Sequence, residues 1–329
     1  MKEFLDYDIK YPDLIPDIVD YFTLRVGVPI KDKSVLKFCE SFKTIEGEGL
    51  IQPDVVIKIC NRLCDARHMS CIRTDCAIGF DNNYLCVSKG GIPAVPHSDY
   101  LRLYYNSLVY GFEYIYRNCL PNVLPVVAYK DGKEPMGTCF RLFNGLVTAK
   151  HCLTDGDEIA IKGYRADFLK DCKVYVSKNP DIDIAYIETK EPAKMYNESP
   201  HVLDDVLVMG YPKVSFFLNF CTGEKANISA MANLRMTPTR GTIAAEGEIY
   251  YPKGLPKLLL VTAKIRGGNS GGPVINNHGM VVGVATGISA GKGDSDDNIG
   301  YGVAYPITAV EDMIGEGNIQ KYKFVDFPE

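Results

Sequence analysis

Ser270 stands between pairs of glycines in the octapeptide Gly267–Val274, which reads GGNSGGPV. Glycine lets a backbone turn sharply, and such a turn can aim its amides inward, where they would donate hydrogen bonds to a developing oxyanion. A serine hydroxyl in that setting becomes a nucleophile once a base takes its proton. His151, in Thr148–Cys152 (TAKHC), directly follows the apolar run Gly145-Leu146-Val147, where a strand would end and present the imidazole to a neighbouring element. The stretch Asp181–Ile187 (DIDIAYI) alternates like a strand and carries acids where it enters an apolar run. A carboxylate there could accept the second imidazole proton, fix the tautomer and stabilise the imidazolium. Alternation puts Asp181 and Asp183 on one face, so both stand as candidates. Alone, each piece has a plainer reading: a glycine-rich hairpin, a structural or exposed histidine, a solvated strand edge. The chemistry needs a fold that brings them together.

The elements that must do so lie in a β-rich half. From about residue 121, short apolar runs follow one another: VLPVVAY, TCFRLFNGLVTA, KVYVSK, DIDIAYIE, DVLVMGYP, GTIAAEGEIYY, KLLLVTAKI, MVVGVATGI and GYGVAYPI. Gly, Asn, Asp and Pro clusters separate them without intervening helices, which predicts a sandwich or a pair of barrels. Residues 307–314 predict a last helix. Upstream the pattern is mostly helical and broken by prolines. Val55, Val56, Ile59, Cys60, Leu63 and Cys64 recur at helical spacing within Pro53–His68. Residues 90–96 (GGIPAVP) read as a connector, and the Tyr-rich stretch 99–118 as a further helix. The expected organisation is a helical, cysteine-containing domain over 1–118 and a β domain over 119–329.

GLVTAKHC, then DIA, then GGNSGGPV, in the order His, Asp, Ser, resemble the trypsin-like serine peptidases of chymotrypsin fold. The intervals, from 151 to 183 and from 183 to 270, are similar to those of the compact HtrA, glutamyl-endopeptidase and viral branches. The resemblance covers about residues 120 to 315, from the strand before TAKHC to NIGYGVAYPI, and none of the first 115. It implies two antiparallel six-stranded β-barrels, mainly β overall, preceded here by the mostly α-helical region. It also implies a serine endopeptidase acting on protein or peptide substrates without metal or organic cofactor. Ser270 then resembles the nucleophile and His151 the general base and acid. Asp183 becomes the orienting carboxylate through the family's Asp-Ile/Leu-Ala pattern, and the amides of Gly268 and Ser270 the oxyanion hole. Thr286 matches a position that supports the buried acid.

The same resemblance places Lys264, Ile265, Ala285, Thr286 and Gly302 at the substrate pocket. Ile265 and Ala285 suit a small or medium apolar side chain. Lys264 pointing inward would suit an acidic one, but glutamate-cleaving relatives have a histidine where this chain has Ala285. Asn269 stands where zymogen-activated relatives have an aspartate that pairs with a new N-terminus, so activity should not depend on trimming. Cys152 follows the histidine as in secreted relatives, yet Cys139 lies nearer in sequence than their bridge requires, and a pair of reduced, packed thiols is an equal reading. No PDZ module is expected after residue 315.

Composition excludes several other classes. With 329 residues, 46% hydrophobic and 23% charged, the chain reads as globular, and its formal charge of −5 gives no overall positive field for nucleic acid. No run of about 18 apolar residues predicts a membrane span. The first thirty residues, rich in acids and prolines, carry no export signal, so the expected compartment is the cytoplasm. Eleven cysteines, an odd number, fit free thiols better than a complete disulfide framework. Five of them, Cys60, Cys64, Cys71, Cys76 and Cys86, cluster around His68. On a continuous helix Cys60, Cys64 and His68 would share a face and could bind zinc together with Cys71 and Cys76. The spacing lacks paired CxxC motifs, and burial as small apolar residues is the favoured reading. Two functions remain: an active endopeptidase whose N-terminal region recruits substrate, docks a protein partner or gates the cleft, or a peptide-binding scaffold on a retired protease fold. The complete set of triad residue types favours the first.

Overall fold

The computed structural model describes residues 5–24, 33–42, 51–74, 77, 79, 81–86, 98–132, 134–192, 194–212, 235–247, 257–288 and 300–328. The chain divides into two compact units, residues 1–115 with 277–279, and residues 116–276 with 280–329.

In the first unit, helices α1 (Leu5–Lys10), α2 (Leu14–Phe22), α3 (Val35–Ser41), α4 (Pro53–Asp65) and α5 (Asp99–Tyr110) form as the helical pattern predicts. Helix α4 opens on Pro53, whose fixed φ suits a first turn, and buries Val55, Val56, Ile59, Cys60 and Leu63 along one face. It stops where Arg67 takes a left-handed φ of 62°. The Arg67 amide then donates to the Cys64 carbonyl (2.8 Å) and the His68 amide to the Leu63 carbonyl (2.8 Å), a Schellman ending. His68 therefore leaves the helix, and the metal-binding face expected from continuous spacing does not extend to it. Ser98 caps α5 by accepting from the Leu101 amide at 3.2 Å. A short hairpin, β1 (Met69–Arg73) and β2 (Asn83–Cys86), departs from the helical reading and packs Met69, Tyr84 and Cys86 inward. The expected connector at 90–96 lies outside the described residues. Helix α6 (Phe112–Cys119) runs into the β-rich unit.

Two β-structures make up that unit. Strands β9 (Asp205–Gly210), β10 (Thr237–Gly247), β11 (Leu258–Val261), β12 (Pro273–Asn276), β13 (Val281–Ile288) and β14 (Gly302–Pro306) close into a barrel in the order β10-β11-β14-β13-β12-β9. Its interior holds Val206, Val208, Ile243, Leu259, Val261, Val274, Val282 and Ala304. The other half differs from the expected second six-stranded barrel. Strands β3 (Val123–Tyr129), β4 (Met136–Leu142), β5 (Gly145–Thr148), β6 (Glu158–Ile161), β7 (Lys173–Val176) and β8 (Ala185–Glu188) are joined by β15 (Asn318–Gln320) in an open sheet ordered β15-β7-β8-β5-β4-β3-β6.

The C-terminal tail takes the place of a β6–β7 pairing. After β15 pairs with β7, the tail runs on to β6, where the Ile159 amide donates to the Lys323 carbonyl and the Val325 amide to the Ile159 carbonyl, each at 2.9 Å. Tyr322 and Phe324 cover the sheet's core beneath it. Both edges thus gain partners that open edges lack. The predicted last helix shortens accordingly: it spans Thr308–Glu311, and the chain turns through Gly315 (φ 83°) into β15.

The β4–β5 turn places the residues that follow. Phe143 and Asn144 both have positive φ (54° and 63°), the two-residue hairpin loop whose twist matches its flanking strands. Strand β5 then delivers the chain to the single-turn helix α7 (His151–Thr154). The nine described cysteines are free thiols, including Cys139 and Cys152, both buried in the core of this sheet. Among the described residues no helix is long and apolar enough to cross a membrane.

Candidate active site

His151 opens α7, and Asp183 lies in the loop just before β8. One carboxylate oxygen of Asp183 accepts the His151 backbone amide at 2.8 Å, and the other accepts Nδ1 of the ring at 2.6 Å. Both oxygens are thus committed to one residue, which sets the plane of the imidazole and directs Nε2 away from the carboxylate. Asp181 has a different part: it is exposed, its amide donates to the Asn179 side chain at 3.0 Å, and its carbonyl accepts the Tyr305 hydroxyl at 3.1 Å. Because β8 begins only at Ala185, strand alternation does not govern either acid. The Asp183 hydrogen bond holds the His151 imidazolium above the ordinary histidine range, with the Cys152 thiol adding to the effect and burial opposing it.

Ser270 sits in the turn before β12. Gly268 and Gly271 have φ of 98° and 82°, the left-handed region that glycine enters without strain. The amides of Asn269, Gly271 and Gly272 donate to the carbonyls of Arg266 (2.9 Å), Ala285 (2.6 Å) and Asn269 (2.9 Å). Those of Gly268 and Ser270 have no acceptor among the described residues. The Ser270 hydroxyl donates to the Thr286 carbonyl at 3.2 Å. A hydroxyl has one proton, so here it is not given to His151, and proton transfer requires the hydroxyl to turn.

Gly271 makes this turn intolerant of side chains. A Cβ there would fall well inside contact distance of the Thr138 carbonyl and Thr148 Oγ1, and 2.7 Å from the Ala149 amide nitrogen. Gly271→Ala is expected to destabilise the fold by about 3 kcal/mol or more, read as a loss of urea midpoint. Gly267→Ala, whose Cβ would meet nothing within 4 Å, should leave that midpoint within about 0.5 kcal/mol.

Residues 137–284 match the family described as trypsin-like peptidase domain. The chain carries a trypsin-like serine peptidase domain. DegS of Escherichia coli K12, a serine endoprotease, is 26% identical over 190 residues, covering 53% of this chain and 46% of its own. The chloroplastic Protease Do-like 2 of Arabidopsis thaliana is 27% identical over 189 residues, covering 54% of this chain and 27% of its own. Among solved structures, a serine endoprotease from Yersinia pestis has 24% identity and a TM-score of 0.43, covering 61% of this chain and 64% of that one. The chain spans less than half the length of these curated relatives.

Within the peptidase domain, the expected pocket residues divide. Ile265, Ala285 and Gly302 are buried in or beside the closed barrel, and the Ile265 side chain lies across Gly302, where a Cβ would come within 2.6 Å of Ile265 Cδ1. Lys264 is exposed and does not point inward; its carbonyl accepts the Thr239 hydroxyl at 2.8 Å. Thr286 does not support the acid either, because its hydroxyl donates to the Val303 carbonyl at 3.4 Å and its own carbonyl faces Ser270.

The zinc alternative is not met among the described residues, where no group of three His, Cys, Asp or Glu could hold a metal ion. Cys60 is fully buried on α4, Cys64 half-buried and Cys71 exposed on β1, while His68 Nε2 pairs with the Tyr104 hydroxyl at 3.1 Å. Burial pushes the Cys60 thiol well up and Cys86 to about 12, which keeps both protonated. Cys76 lies outside the described residues.

Three contacts at the site had no signal in the sequence. The Tyr305 hydroxyl pins the loop that carries Asp183, the Cys152 thiol donates to the Ser270 carbonyl at 3.4 Å, and Thr138 reaches the serine turn from β4. Each is an ordinary strand or turn residue in its own neighbourhood.

Proposed function

We propose that the chain is an active serine endopeptidase that hydrolyses peptide bonds through an acyl-enzyme on Ser270. The two-point hold of Asp183 on His151 carries the reading, because it leaves a ring nitrogen oriented to accept a proton. His151 Nε2 takes the Ser270 proton as Oγ bonds to the substrate carbonyl carbon. The oxygen of the tetrahedral adduct receives the unengaged amides of Gly268 and Ser270. The C–N bond then breaks, His151 returns its proton to the leaving amine, and water repeats the sequence to release the acyl group. No step calls for a metal or organic cofactor.

With Lys264 outside and Ile265 lying over Gly302, the pocket of Ile265, Ala285, Thr286 and Gly302 favours a small or medium apolar side chain before the cleaved bond. Residues 1–118 serve as a recruitment or regulatory region for protein substrates. Cleavage-site profiling of a peptide library tests the reading. The expected result is hydrolysis after small or medium apolar residues, lost in Ser270→Ala. Peptide binding without hydrolysis by the native protein would replace it with a scaffold.

A further inference from the structure

We infer that Thr138 is a positioning residue for the oxyanion hole, an inference that rests on the peptidase reading. Thr138 is fully buried on β4, and it meets the serine turn with both backbone and side chain. Its amide donates to the Ser270 carbonyl at 2.9 Å and its hydroxyl to the Gly268 carbonyl at 2.7 Å. The Tyr211 amide donates to the same hydroxyl at 3.0 Å, which leaves the hydroxyl proton for Gly268. The Thr148 hydroxyl donates to the Thr138 carbonyl at 2.7 Å and fixes the strand at that point.

The peptide planes of the turn show what this grip controls. The plane joining residues 270 and 271 is held at both ends, by Thr138 and Cys152 on its carbonyl and by Ala285 on its amide. The plane joining 268 and 269 is held by Arg266 on its amide and by the Thr138 hydroxyl on its carbonyl. Without that hydroxyl one bond remains, and Gly268, at φ 98° with no Cβ, offers little resistance to rotation. The Gly268 amide, one of the two donors, belongs to the preceding plane, which joins 267 and 268 and meets the held plane at the Gly268 Cα, so loosening the held plane frees that Cα and the amide it carries. The neighbouring side chain does not substitute: Asn269 is 1% exposed and its Oδ1 has no partner among the described residues. Thr138 touches no reacting atom and acts through the orientation of Gly268.

The test compares Thr138→Val, which keeps the shape and removes the hydroxyl, with Thr138→Ser, which restores it. Rates are referred to active sites titrated by a fluorophosphonate. Loss of one oxyanion donor typically costs about 10²- to 10³-fold in rate, so a disoriented donor should lower kcat of Thr138→Val by about 10- to 100-fold. KM should stay within about twofold, since binding of the ground state does not use the donor. Thr138→Ser should stay within about threefold of the native kcat. A folded Thr138→Val with native kcat per titrated site overturns the inference, as does a Thr138→Ser that loses as much as Thr138→Val. Thr138→Cys, with a weaker donor of similar shape, covers the case in which valine does not fold: an intermediate kcat supports the inference and a native kcat overturns it. A native protein that neither cleaves peptides nor reacts with the probe instead removes the peptidase reading, and the inference falls with it.

Discussion

Ser270→Ala lowers kcat by about 10⁶-fold while the domain keeps its thermal midpoint. The rate falls so far because the acyl-enzyme has no other oxygen to form on. A small residual rate over water remains, since the amides of Gly268 and Ser270 can still polarise a bound carbonyl. The midpoint should hold because the hydroxyl makes one bond, to the Thr286 carbonyl, at a partly exposed position. Single-turnover cleavage of a denatured protein substrate, together with a thermal melt, measures both. Cleavage by Ser270→Ala at a rate near that of the native protein would assign the chemistry to another residue.

Asp183→Asn should lower kcat by about 10⁴-fold with the fold intact. The carboxylate accepts from Nδ1, so the neutral ring carries its proton there and leaves Nε2 with a lone pair. An amide that donates to Nδ1 selects the other tautomer, which cannot take the serine proton. The pH dependence follows from the same pair. Because Asp183 raises the His151 pKa, the neutral base appears at higher pH than for an isolated histidine. Native kcat/KM should therefore rise with pH through a midpoint above about 6.5, and Asp183→Asn should move the midpoint of its residual activity down. The stability contribution has the opposite pH sense: a group whose pKa is raised on folding stabilises the protein fully below its unfolded pKa and loses that effect as pH rises through the folded value. The melting difference between native protein and Asp183→Asn should accordingly be larger at pH 5.5 than in the alkaline range.

Local signals survived the passage from sequence to structure where one segment suffices. The helical face of α4 and the glycine turn around Ser270 are each written in a few consecutive residues, whereas the turn at Phe143 and Asn144 divides a stretch that reads as one apolar run. What depended on distant partners was not legible. Alternation could not separate Asp181 from Asp183, because the strand starts after both and the choice is made by contact with His151. A pattern of metal-capable side chains continued past Asp65, but the left-handed turn at Arg67 ended the helix beneath it. The first sheet looked like a closed six-stranded barrel, and only the folded chain shows a C-terminal strand taking the place between β6 and β7. Thr138 is one β-branched residue among several in a buried strand, and its importance lies in two carbonyls about 130 residues away.

The most direct measurement of the central claim is reaction of the native protein with a fluorophosphonate, followed by peptide mapping. One adduct is expected, on the Ser270 hydroxyl, absent in Ser270→Ala and formed far more slowly in His151→Ala. A folded native protein that stays unmodified, or that is modified at the same rate without His151, would contradict it.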